Sequence, residues 1–235
     1  MTRKQARRPA AILSTWVLVI LVGVAIWYGV RHYRMLTRGE IEPVLPVRMQ
    51  AEDGRAVRRK RVALISGHAG FDTGALCANG LAEVDVNREV TRWTERILRG
   101  AGARVTTLEE YDPRLEKVEA DVLVSIHADS CLPTRGFKVA RWIASPHPAR
   151  DDRLVACLRA RYTARTGLPF DANTITQDMT EYHAFRKVPE RTAAAIIETG
   201  YLGGDRELLT RRPQVVALGI AEGIGCYFGE GASGK

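Results

Sequence analysis

Two histidines and two glutamates stand where an apolar run gives way to a loop or a helix, and together they could share one site. His68 sits in Gly67-His68-Ala69-Gly70, just after Val62-Ala63-Leu64-Ile65, and His127 ends the run Val122-Leu123-Val124-Ser125-Ile126. Glu198 follows Ala193 to Ile197, and Glu83 opens an amphipathic stretch. A catalytic zinc commonly takes three His or carboxylate ligands and leaves its fourth position to a water, whose pKa falls to about 7. His68, Glu83 and His127 make such a set, and Glu198 remains for acid-base work. Taken singly, each has a plainer reading as a hydrogen-bonded or solvated loop residue. No HExxH is present to mark a metal by local spacing. These ligand types would also admit manganese or iron.

The elements that must position these residues alternate in type. Short apolar strands are expected at 62–65, 104–108, 121–126, 138–143 and 193–197. Between Val84 and Leu98, the residues Val86, Val90, Trp93, Ile97 and Leu98 share one helical face, with Gly100 as the expected C-cap and Glu83 at the N-terminal edge. Further helices are expected from about Ala149 to Thr166, stopped by Gly167 and Pro169, and from Pro213 to Tyr227. This alternation predicts an α/β domain with a mostly parallel central sheet and helices on both faces. In such a sheet, ligands collect outside the carboxyl ends of the strands, where the four candidate residues stand.

Ahead of the domain, residues 10–30 carry no charge and span roughly 30 Å as a helix, the thickness of one hydrocarbon core. Trp16, Trp27 and Tyr28 suit an interfacial belt. The run is long for a signal peptide and no A-x-A-like site follows it. It is read as one N-terminal transmembrane helix, with residues 1–9 cytoplasmic. The positive-inside rule only leans that way, since Arg3, Lys4, Arg7 and Arg8 face Arg31, Arg34 and Arg38. Residues 31–60 read as a juxtamembrane linker, 61–229 as the catalytic domain, and 230–235 as a small Gly/Ser tail.

The formal charge of +8 would ordinarily raise nucleic acid as a partner. Residues 61–235 nevertheless carry 23 basic and 23 acidic side chains, so the excess lies on the membrane flanks and linker and no nucleic acid is expected. Cys77, Cys131, Cys157 and Cys226 show no CxxC spacing, which argues against a thiolate metal cage. Cys77 and Cys131 follow His68 and His127 closely enough for their loops to meet. A disulfide there and buried free thiols both remain open.

The wider pattern is more specific. Gly67-His68-x-Gly70-x-Asp72-x-Gly74-Ala75, Asn79-Gly80-Leu81-x-Glu83-x-Asp85-Val86-Asn87, Ser125-Ile126-His127-Ala128-Asp129 and Glu198-Thr199-Gly200-Tyr201-Leu202 occur in that order. Together they closely resemble the zinc-dependent N-acetylmuramoyl-L-alanine amidases of bacterial cell walls, from about Arg61 to Tyr227. The resemblance implies a phosphorylase/hydrolase-like α/β fold. It also implies zinc on His68, Glu83 and His127, with Glu198 as the catalytic glutamate that activates the zinc-bound water. The implied substrate is peptidoglycan, cut between N-acetylmuramic acid and L-alanine, which places the domain outside the cytoplasmic membrane.

Around these four residues, Asp72, Asn79 and Asn87 are expected to shape loops and cap a helix. Asp129 is expected either to hold His127 or to form a turn, and His183 to sit on a substrate-facing loop. The chain departs from the family at Ala69, Cys77 and Asp129. It departs more seriously from Leu108 to Asp121, which is short and lacks the usual Arg and Asn helix. Two other readings stand beside the leading one: a catalytically silent peptidoglycan-binding protein, and a zinc peptidase or amidase acting on a different wall peptide.

Overall fold

The structure, a computed structural model, describes residues 48–230 and, before them, Gly23 alone. The expected anchor at 10–30 and the tail from Gly231 lie outside the described residues. Five strands form one sheet: β1 (Arg61–Ser66), β2 (Arg104–Leu108), β3 (Val122–Asp129), β4 (Lys138–Ala140) and β5 (Ala193–Tyr201). Their order is β2-β1-β3-β5-β4, with all pairs parallel except the edge strand β4, which runs antiparallel to β5. The helices are α1 (Ala51–Ala56), α2 (Glu83–Gly100), α3 (Pro148–Thr166), α4 (Gln177–Thr180), α5 (Arg206–Arg211) and α6 (Pro213–Glu230).

The two faces of the sheet are covered differently. Leu64, Val124, Ile126 and Ile197 pack with Val90, Leu158 and Ile220, so the long helices α2, α3 and α6 share one side. On the other side, Ile65, Leu123 and Ile196 pack with Leu115, Met179, Tyr182 and Phe185. Those residues belong to short helical segments at Pro113–Lys117, Gln177–Thr180 and His183–Arg186. The mostly parallel sheet is as expected, but helices of full length do not cover both faces. A few one-turn segments suffice because they need only shield a narrow strip of alternating strand residues.

Local signals place most element ends. Gly167 stops α3 in the left-handed region (φ 70°), with its N–H donating to the Thr163 carbonyl at 2.9 Å. In α2 the expected cap is displaced: the helix runs through Gly100, Ala101 stays right-handed, and Gly102 makes the turn at φ 92°. The strand expected to reach 143 ends at Ala140. Residues 51–56, given to the linker on composition, form α1, whose buried Asp53 pairs with Arg161 of α3. Beside it the fully buried Glu222 of α6 accepts two bonds from Arg165, at 2.5 and 2.6 Å, and one from the Gln50 N–H at 2.8 Å.

All four cysteines are paired. Cys157–Cys226 ties α3 to α6, and Cys77–Cys131 ties the loop between His68 and Glu83 to the loop after His127. The second of these closes a separation of 54 residues. On the chain-entropy argument a loop of that length is stabilised by about 4 kcal/mol. The Cys77→Ser/Cys131→Ser double variant should therefore lose about 2–4 kcal/mol in urea unfolding relative to the oxidised wild type. An unshifted midpoint would show that the crosslink does not restrict the unfolded chain.

Candidate metal centre

His68, Glu83 and His127 come together at the carboxyl ends of β1 and β3 and the N-terminus of α2. One ligand atom from each lies within 4.8 Å of the other two. Glu83 Oε1 is 3.2 Å from His68 Nε2 and 3.2 Å from His127 Nδ1, so one carboxylate oxygen faces both imidazoles. Glu83 and His127 are buried, and His68 is partly open. Two nitrogens and a carboxylate oxygen packed this tightly suit a small divalent cation of the zinc class.

Backbone conformation makes the convergence possible. His68 adopts a left-handed φ of 63°, uncommon for a residue with a side chain. A Cβ at Gly67 would lie 2.4–2.6 Å from the ring of His127, and one at Gly74 (φ 59°) would lie 2.5 Å from Glu83 Oε2. Both glycines therefore leave room that the ligand side chains occupy.

Further side chains hold the three in place. Asp72 Oδ1 meets His68 Nδ1 at 2.5 Å and accepts from the Gly74 N–H at 2.9 Å. The fully buried Asn87 donates to Glu83 Oε1 and to the Gly67 carbonyl, both at 3.1 Å. Both were expected only to shape loops or cap a helix, and they fix ligands as well. Asn79 keeps to its expected part, accepting from the Leu81 N–H at 3.0 Å. Asp129 does not hold His127; it pairs with Lys138 of β4 and caps the Ser130 N–H.

Glu198 is the register partner of His127 on β5 and of Lys138 on β4, so its side chain shares the sheet face of His127. Its Oε2 is shut off from solvent and has no hydrogen-bond partner among the described residues. Burial raises the Glu198 pKa to about 7, against the pull of His127. Burial also works against ionisation of Glu83, but the bonds from His127 and His68 overcome it and hold that carboxyl well below its ordinary range. For His127, burial disfavours the charge, yet Glu110 and Glu83 prevail and raise its pKa to about 10. A cluster with this excess of carboxylate favours positive charge among its groups.

Glu110 escaped the sequence reading. It lies two residues beyond β2, is buried, and approaches His127 Nε2 to 3.4 Å with Oε2. Its neighbours Glu109, Tyr111 and Asp112 give it the look of a solvated acidic turn, and no spacing rule marks it. His183 bonds to this same Glu110 at 2.9 Å and stacks on the half-exposed Tyr111, with ring centroids 4.3 Å apart.

Residues 62–226 match the N-acetylmuramoyl-L-alanine amidase family, well over half of the chain. The chain belongs to that family. The N-acetylmuramoyl-L-alanine amidase AmiA of Salmonella typhimurium is 39% identical to it over 80 residues, 30% of this chain and 28% of that protein. Among the curated relatives the matched stretches span less than half of each relative's own length. Of solved structures, the N-acetylmuramyl-L-alanine amidase Ami1 of Mycobacterium smegmatis superposes with a TM-score of 0.63 at 20% identity, over 74% of this chain and 99% of that one. The N-acetylmuramoyl-L-alanine amidase AmiC2 of Nostoc punctiforme gives 0.55 at 24% identity, over 70% and 94%. At those identities the superpositions speak for the fold.

Carboxylate neighbours hold both His127 and His68 toward the protonated form, so a cation that takes their nitrogens must compete with protons. Zinc titrations in buffers of different ionisation enthalpy should show proton release on binding, with apparent affinity rising as pH rises. Heats that do not depend on the buffer would contradict this.

Proposed function

We propose that this chain hydrolyses the amide between the lactyl group of N-acetylmuramic acid and the L-alanine of the stem peptide in peptidoglycan. The carrying observation is the convergence of His68, Glu83 and His127 with Glu198 beside them, in a chain of the amidase family.

In this reading His68, Glu83 and His127 hold a zinc ion. When bound, zinc supplies a water of pKa about 7 and polarises the scissile carbonyl. Glu198 acts as the base: its carboxylate accepts the proton of the attacking water and delivers it to the departing L-alanine amine. A carboxyl raised to about 7 by burial is suited to both transfers. Lys138, drawn in by Asp129 and opposite Glu198 in register, keeps a positive charge near the base. Asp72 and Asn87 keep the ligand side chains in one geometry so that little is reorganised during the reaction.

The reading also places the domain outside the cytoplasmic membrane, anchored by residues 10–30. Among the described residues no helix is long and apolar enough to cross a membrane, so the anchor rests on the uncharged run in the sequence. Two disulfides in a chain of this length support an oxidising compartment.

Incubating the full chain with purified muropeptides and reading products by mass tests the cut. Free stem peptides beginning with L-alanine and peptide-free glycan are the expected products, both abolished by chelator. A cut inside the stem peptide would point to a wall peptidase, and zinc binding without any product to a silent binding protein. Glu198→Gln should lower kcat by about 10²–10⁴-fold and leave zinc binding in place. In the wild type, kcat/KM should fall by about tenfold per pH unit on the acid side, with the bend at or below pH 7, because the base is lost as Glu198 takes up a proton. A flat acid side down to pH 5 would show that Glu198 does not take up its proton near pH 7 in the working enzyme.

A further inference from the structure

The centre has a second carboxylate that ligates nothing in the cluster of three. Glu110 follows β2, in the segment that leads to β3. Its backbone N–H donates to the Ala69 carbonyl at 3.0 Å, and its Oε2 accepts from the His68 N–H at 2.9 Å. Its Oε1 accepts from Tyr182 Oη at 2.8 Å and meets His183 Nε2 at 2.9 Å. Tyr182 in turn accepts from Ser125 Oγ at 3.0 Å. Ser125 lies two residues before His127 on the same strand and the same sheet face. The buried network thus leaves β3 at Ser125 and returns to it at His127.

The orientation of His127 gives this network its meaning. Nδ1 faces Glu83 at 3.2 Å, on the side where the three ligand atoms converge, and Nε2 points the other way, toward Glu110 Oε2 at 3.4 Å. A neutral imidazole that gives one nitrogen to a metal carries its hydrogen on the other, and that hydrogen needs an acceptor. His127 Nε2 is buried and makes no well-aligned hydrogen bond among the described residues, so Glu110 is the acceptor within reach. Asp129, the other candidate by sequence, is taken by Lys138. His68 has the same arrangement in mirror order: Nε2 faces Glu83 and Nδ1 meets Asp72.

We propose that Glu110 is a positioning residue for the metal centre: its carboxylate holds His127 with Nδ1 turned to the ion and, through the His68 N–H, pins the left-handed turn that presents the other histidine. The inference rests on the reading of His68, Glu83 and His127 as ligands and goes beyond it, because Glu110 joins both histidines from outside the ligand set. Tyr182 and His183 fill the far oxygen of Glu110, so the carboxylate cannot swing away without abandoning two partners.

The test uses the full chain and reads the metal directly. Zinc affinity is measured by chelator competition, and the cobalt-loaded protein is compared by its visible absorption. Glu110→Gln should weaken zinc by about 10–100-fold and shift the cobalt bands. Tyr182→Phe keeps the carboxylate and removes one of its donors, so it should weaken zinc by a smaller factor. Wild-type zinc affinity and an unchanged cobalt spectrum in Glu110→Gln would overturn the proposal. Should that variant fail to fold, Tyr182→Phe decides, and unaltered affinity there overturns the proposal equally. Zinc bound by the wild type with no muropeptide cut would sink the amidase reading and leave this test standing. A wild type that binds no zinc would sink both.

Discussion

A buried carboxylate packed against two imidazoles is the constraint on which the rest of the molecule turns. Glu83 cannot leave its place at the start of α2 without exposing His127 and breaking its bond with Asn87. The surrounding charges do not balance without a cation: Glu83, Glu110 and Glu198 all crowd His127. Burying such a group is costly unless positive charge lies among the carboxylates. Positive charge held on His127 serves that need in part, and a divalent ion would serve it better.

The fold meets this constraint by division of labour. One face of the sheet is a conventional apolar interior under three long helices, crosslinked by Cys157–Cys226 and by the buried Glu222–Arg165 pair. The other face is thinly covered and carries His127 and Glu198 side by side on β3 and β5. The loops that complete the centre are held at their margins by Cys77–Cys131 and by close backbone approach, since a Cβ at Gly203 or Gly204 would strike the carbonyls of Cys131 to Thr134. Stability therefore resides mainly in one layer and chemistry in the other.

What the sequence disclosed follows from the same division. His68, His127 and Glu198 each close an apolar strand and Glu83 opens an amphipathic helix, so local pattern alone put them at one edge of the sheet. The parallel order was legible from the alternation of elements. The sidedness was not, because strands buried on both faces read as continuous apolar runs and do not say which face receives a helix. Residues 172–188 gave no helical period, being one-turn segments. The Cys157–Cys226 pairing was invisible because it depends on how α3 and α6 cross. Glu110 was hidden for a related reason: its role comes from partners 17 to 73 residues away in sequence.

Gly67 shows how far a metal centre can extend beyond its donors. The His127 ring lies so close over its α-carbon that the hydrogen there is a wall of the site. Exchanging that hydrogen for a methyl group would push the imidazole off its present line and disturb the candidate centre, although position 67 lends it no ligand atom. The smallest residue in the neighbourhood therefore sets how near the two histidines can stand.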